Sequence, residues 1–339
     1  MSRFPHHAAL ELLAEQKQFD ACRMVAEKMI ADQMAPPSVD QGLPAEAMLQ
    51  RWQDRDLELA HLHLILSRCL FGLHEYQAAA TNADMARLLA RTAGEFSLYA
   101  EACHLAGACQ GQAGNLNTAA ERFTDCLQHA TGLLRAKALY NRGHVYERQG
   151  AYGYAVPDYE EALQLAGGLD RRLERSAMTN LAWDLIMLKQ FERAEELLER
   201  LETAPDAQAD AVLRAQIAHD KLHIAHLQGQ HRQAFQQIVQ ALRRTDQAFP
   251  HVRARVALTT MSLAADLGLH EEACVVGLVA KRLASQAQRP DLDDEASRLL
   301  HDLEAEAGTD CVVQSLQRAR QLLPGVIKTG RGKKSGGVA

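Results

Sequence analysis

The sequence predicts an all-α fold of stacked helix-turn-helix units, and three observations carry that expectation. A degenerate block, Gly-x-x-Tyr followed by spaced Ala, Tyr and Ala, recurs along the chain and is cleanest in AKALYNRGHVYERQGAYGYAVPDYEEALQLAGG, which begins at Ala136. The 339 residues are 47% hydrophobic but only 5% aromatic, a composition that suits packing of Ala- and Leu-rich helices better than a β-rich core. The third observation is periodicity: the place held by Gly143 in this block returns at residues 67, 107, 182, 222 and 261, with successive steps of 40, 36, 39, 40 and 39 along the chain. Self-similarity at such an interval marks a repeat architecture.

Taken in order, the first and weakest unit is KQFDACRMVAEKM, where Phe19 and Cys22 take the aromatic and small places. A Gly- and Pro-bearing stretch, residues 35–44, follows and reads as a loop or a helix start. GLHEYQAAATNADMARLLA comes next, with Ser67 at the glycine place. In the unit starting at Ala100, Gly107 holds that place, Gly114 the turn, Ala119 and Phe123 the second-helix face, and Cys126 the last small position.

The cleanest unit places Gly143 where two helices must approach closely, with Tyr146 filling the space beyond it, and gives its second helix a small-large-small face of Ala155, Tyr159 and Ala162. Pro157 lies too deep in that helix for the harmless first position and predicts a kink or a late start. LKQFERAEELLERL, LQGQHRQAFQQIVQAL and LGLHEEACVVGLVAKRL continue the series, with Ala182, Leu222 and Met261 at the glycine place. TAPDAQ and Pro250 read as loops or helix starts. DLDDEASRLLHDLEAEAG and CVVQSLQRARQLLPG predict one or two closing helices, the first acidic in its opening turn.

These residues resemble the tetratricopeptide repeat, whose pattern has a large residue, Leu-Gly, Tyr, then Ala, an aromatic, Ala and a final Pro. The resemblance spans roughly residues 8–286 and is strongest over 96–203. It implies a right-handed superhelical solenoid of about six to seven repeats closed by C-terminal capping helices. The expected organisation is a weak N-terminal helical pair and linker over 1–54, the solenoid over 55–286, capping helices over 287–324 and a basic flexible tail over 325–339. The steps exceed the family's usual 34 residues by about one helical turn, which predicts longer helices or longer inter-repeat loops. In this the chain resembles the long-helix variants found in bacterial peptide-sensing regulators and large signalling proteins.

Charge and motifs exclude several function classes. A net charge of −6 and a pI near 6.2 provide no global basic field for nucleic acid and favour protein or peptide ligands. No run of 18 or more apolar residues is present, so a cytoplasmic protein without membrane association is expected. Cys22, Cys69, Cys103, Cys109, Cys126, Cys274 and Cys311 are an odd number of singly scattered thiols and read as small core residues. There is no G-x-S-x-G, H-E-x-x-H, paired C-x-x-C or Walker loop; GRGKKS in the tail mimics one, but Ile327 stands where its first Gly is needed. Lys328, Arg331, Lys333 and Lys334 instead suggest a soluble tail, with nucleic acid or an acidic partner as the alternative occupant.

In HDKLHIAH, His219, His223 and His226 share one helical stripe, a spacing that can hold a metal. Asp220 is nearby but directed elsewhere by the helical period, and a polar groove-lining face without metal is the preferred reading. No cofactor is expected.

The resemblance implies that first helices line a concave surface, and carrying its ligand-facing places onto this chain gives Lys137, Tyr140, Asn141, His144 and Glu147, then Asn180 and Trp183. Gln216, His219, Asp220 and His223 follow, then Arg255 and Thr259, with His61, Arg68 and His104 on the N-terminal side. Asn141 and Asn180 hold the same place in consecutive repeats, so they are either the start of an amide ladder for an extended backbone or tolerated solvated residues. Lys137 faces Ser176 in the next repeat register, so a basic clamp for a C-terminal carboxylate is not expected. The expected function is a non-catalytic scaffold or adaptor that binds protein or peptide in the groove. The alternative is a peptide- or protein-responsive regulator controlling an effector; an enzyme using the histidine stripe lacks a nucleophile or second carboxylate beside it.

Overall fold

The computed structural model describes residues 7–34, 44–204, 210–229, 250–266, 268–310, 313, 314 and 317. Among them all regular structure is helical. The chain divides into two compact units, Met1–Leu188 and Lys189–Ala339.

The first unit contains α1 (His7–Glu15), α2 (Phe19–Met34), α3 (Ala45–Gly72), α4 (Tyr76–Thr92), α5 (Phe96–Gln112), α6 (Leu116–Leu127), α7 (Gly132–Arg148), α8 (Tyr152–Ala166) and α9 (Arg171–Met187). Each helix packs on the next, and the odd helices from α1 to α9 also meet their odd neighbours, so the first helices of successive repeats form a layer of their own. The second unit contains α10 (Phe191–Thr203), α11 (Ala211–Leu227), α12 (Pro250–Asp266), α13 (His270–Gln286) and α14 (Pro290–Ala307). Here α12 packs on α11, α13 and α14, and α13 on α14. The second helix of the LQGQHRQAFQQIVQAL copy lies outside the described residues.

The added length of each repeat sits in its helices. α4, α5, α7 and α9 are each 17 residues long, while the turns before α4, α5, α6 and α8 span only three residues. Each of those turns uses a left-handed backbone two residues before the next helix: Gly94, Gly114 and Gly150 adopt it, and so does His74 with φ 64°. Glycine enters that conformation without a Cβ penalty. α8 begins at Tyr152, so the late start expected from Pro157 does not occur.

Small residues sit where helices touch. Ala79, Ala80, Ala83, Ala86 and Ala90 on α4 are all buried. A Cβ built on Gly107 would stand 2.8 Å from the ring of Phe123, and one on Gly143 would stand 3.0 Å from the ring of Tyr159. The ring over Gly143 is therefore that of Tyr159; Tyr146 is only half-buried and lies beside Tyr154, with centroids 5.8 Å apart. In the second unit the sizes are exchanged: Met261 holds the glycine place, and a Cβ on Gly277 would meet its Sδ at 2.6 Å.

Gly107→Ala is expected to cost about 1–3 kcal/mol, because Phe123 is locked in the core and overpacking forces ring or backbone to shift. Gly277→Ala should cost less, since a thioether bends aside more readily than a buried ring. Urea midpoints at constant slope compare the two, and equal losses would refute this account.

The six described cysteines are all buried. Burial pushes Cys103 and Cys126 up to about 12 and Cys109 up to about 11, so they pack as neutral small hydrophobes. At the C-terminal end α14 carries Pro in its first turn together with Asp291 and Asp293, as its acidic opening predicted, and it packs on α13. The tail residues Lys328, Arg331, Lys333 and Lys334 lie outside the described residues.

Candidate functional site

The layer made by α3, α5, α7 and α9 gathers most of the residues picked from the sequence. Lys137 and His144 are exposed on α7, and Tyr140, Asn141 and Glu147 of the same helix are half-buried. Asn180 and Trp183 are half-buried on α9. On the N-terminal side Arg68 of α3 is exposed and bonded to Glu101 of α5 at 3.1 Å, while His61 and His104 are half-buried.

Inter-helix hydrogen bonds fix this face. Asn141 Nδ2 donates to His104 Nε2 at 3.0 Å, joining α7 to α5. Burial, with Lys137 and Arg68 nearby, lowers His104 to about 4, so its ring is neutral and able to accept. Asn180 Nδ2 lies 3.2 Å from the Tyr159 hydroxyl and 3.4 Å from that of Tyr140, and the Tyr159 hydroxyl donates to Glu147 Oε2 at 2.8 Å. The two asparagines are thus joints of the repeat stack, each with amide hydrogen bonding already committed inside the protein.

Beneath the face, α7 is fastened to α8 by two arginines. Arg142 makes a two-pronged pair with buried Asp158, Nε to Oδ2 at 2.8 Å and Nη2 to Oδ1 at 2.7 Å. Arg135 Nε reaches Glu161 at 2.7 Å. α9 starts on a capped turn, where the Asp170 side chain accepts from Leu173 N at 3.0 Å.

The second unit presents its own group on α11. His219 and His223 stack with centroids 6.4 Å apart, and Gln216 is exposed. Asp220 is not directed away from the stripe as the helical period suggested: its Oδ1 meets His219 Nδ1 at 3.1 Å and accepts from Gln216 Nε2 at 2.9 Å. Burial raises its carboxyl above the ordinary value, and the two neighbours hold it down. Among the described residues no group of three or more His, Cys, Asp or Glu is placed to hold a metal ion. Arg255 and Thr259 stand on α12, and their side chains, like that of His226, lie outside what is described.

Sequence reasoning missed one residue. Asp184 is fully buried on α9, two residues beyond the glycine-place Ala182. The same place in other repeats holds Cys69, Cys109, Val145 and Ile224, all buried. The signal was an acidic residue at an apolar repeat position.

Residues 134–204 match the tetratricopeptide repeat family model. No curated protein sequence matches the chain. Among solved structures, the apo form of RapI is similar over 92% of this chain and 97% of its own, with a TM-score of 0.52 at 10% identity. A tetratricopeptide repeat protein from Parabacteroides merdae gives a TM-score of 0.46 at 14% identity, covering 78% of this chain and 99% of its own. The apo form of the quorum sensor NprR from B. thuringiensis gives 0.46 at 17%, covering 87% and 85%. The RapI likeness agrees with the helix packing in establishing a tetratricopeptide-like all-α fold. Among the described residues no helix is long and apolar enough to cross a membrane.

Proposed function

Starting from a chain with a tetratricopeptide-like fold whose residues 134–204 match that repeat family, we propose that it is a non-catalytic, cytoplasmic scaffold or adaptor that binds a protein or an extended peptide on the first-helix face of its first unit. The observation that carries this reading is a polar face whose supporting side chains are already hydrogen-bonded to one another, with Lys137 and His144 exposed above them. A face fixed before binding loses less conformational freedom when a partner docks. Lys137 and His144 supply charge and donors at the surface, and Tyr140 and Trp183 supply partly exposed aromatic area.

Asn141 and Asn180 act differently from a free amide ladder. Each amide carries two donors and a carbonyl acceptor, so a partner backbone is met by what the internal bonds leave over. In the second unit Gln216, His219 and His223 form the corresponding proposed surface, to which the repeat register adds Arg255.

The experiment places a photo-crosslinking amino acid at His144 in one protein and at Tyr154, exposed on a second helix, in another. A partner captured specifically at His144 is then titrated against Lys137→Glu combined with His144→Glu. We expect binding to weaken by about tenfold or more at unchanged helicity, equivalent to about 1.4 kcal/mol. Capture at Tyr154 alone, or unaltered affinity in the double variant, would move the binding surface away from the first helices.

A further inference from the structure

α9 buries a carboxyl that the fold leaves unsatisfied. Asp184 has 0% exposure, and among the described residues neither of its oxygens has a hydrogen-bond partner. An orphaned buried polar group is costly, and the surrounding places of the repeat show that an apolar residue fits there.

The groups acting on it come from the two helices on which α9 packs in this unit. Glu147 on α7 repels a carboxylate at residue 184, and Tyr159 on α8 has its own ionisation opposed by burial first, and also by Glu147 and Asp184. The Tyr159 hydroxyl already donates to Glu147. Among the described residues, burial and the charge of Glu147 act on Asp184 with no cation to offset them.

We propose that Asp184 is a proton-operated latch: as a neutral acid it lets α9 seat on α7 and α8, and its ionisation opposite Glu147 loosens α9. The latch concerns the seating of one helix and stands whether or not the face above it binds a partner. Release would also slacken Asn180, whose amide bonds to Tyr159 and Tyr140 depend on that seating.

The titration runs in the direction the geometry requires. Burial first, then the charge of Glu147, raises Asp184 to about 8 in the folded protein, against 3.8 for the free group. The folded state therefore keeps a proton that the unfolded chain has shed, so the stabilisation of α9 is complete below about pH 4 and declines as pH rises toward about 8.

Amide hydrogen exchange, corrected for the intrinsic pH dependence of exchange, tests this on the full chain. Between about pH 6 and pH 8, opening of α9 should rise about tenfold to a hundredfold while α5 and α6 change little. Asp184→Asn and Asp184→Leu should both abolish the pH dependence and keep α9 protected. Infrared difference spectra of the wild type over the same range should show loss of a neutral-carboxyl stretch, a readout that holds even if one variant folds poorly. Protection of α9 independent of pH, pH dependence surviving in either variant, or no neutral carboxyl at about pH 6 would each overturn the latch.

Discussion

Arg142→Met is expected to destabilise the protein by about 3–5 kcal/mol, the range for removing one partner of a buried ion pair. A surface pair would lose less than about 1 kcal/mol, so the position of the pair decides the magnitude. The Asp158 side chain is only 7% exposed and that of Arg142 20%, and both guanidinium prongs are engaged at 2.7–2.8 Å. The third guanidinium nitrogen donates to Thr124 on α6 at 3.0 Å, and the charge stands 5.9 Å from the Tyr146 ring centroid. Methionine keeps much of the stem and removes the charge, leaving Asp158 buried without its cation. Replacing both residues, Arg142→Met with Asp158→Leu, should recover most of the loss, because the single variant measures the orphaned carboxylate rather than the worth of the pair. Urea unfolding of the single and double variants gives the comparison, and a single-variant loss below about 1 kcal/mol would show that water screens the pair.

The pair illustrates what was legible in the sequence. The small and large places were readable because they repeat, but the spacing did not show that the ring over Gly143 is that of Tyr159 rather than Tyr146, as Phe123 lies over Gly107. Arg142 and Asp158 do not recur with that period, so nothing marked them as partners across the turn. The exchange at Met261 and Gly277 was hidden for a related reason. A template that demands a small residue on the first helix cannot see that the volume has moved to the second.

For the candidate residues, the helix each stands on was legible and the bonds it makes were not. The repeat register placed Lys137, Asn141, His144, Asn180 and Trp183 on first helices, and those helices form a contiguous layer. It could not reveal that Asn141 is bonded to His104 or Asn180 to Tyr159, since those partners lie 37 and 21 residues away. Asp184 stood at a place where Cys69, Cys109, Val145 and Ile224 are buried, so comparing repeats place by place would have singled it out. On α11 the period put Asp220 off the histidine stripe, yet adjacent side chains can bend toward one another, and its carboxyl meets His219.

Tyr159→Ala is expected to cost about 3–5 kcal/mol, as befits one of the largest side chains with no exposure. The ring fills the space over Gly143 and lies 5.7 Å from the Tyr140 ring, so its loss opens a cavity between α7 and α8. The hydroxyl has a separate job. It donates to Glu147 and meets the amide of Asn180, joining three helices at one oxygen. Tyr159→Phe keeps the ring and removes only that joint, and it should cost about 1–3 kcal/mol. The difference between the two variants assigns the balance between packing and polar network. If Phe costs as much as Ala, the hydroxyl dominates and the face is held mainly by its hydrogen bonds. If Phe is neutral, Glu147 and Asn180 have found other partners and the joint does not fix α9. An intermediate loss, with α9 more open to hydrogen exchange than α5, is the outcome that agrees with Tyr159 acting as both filler and joint.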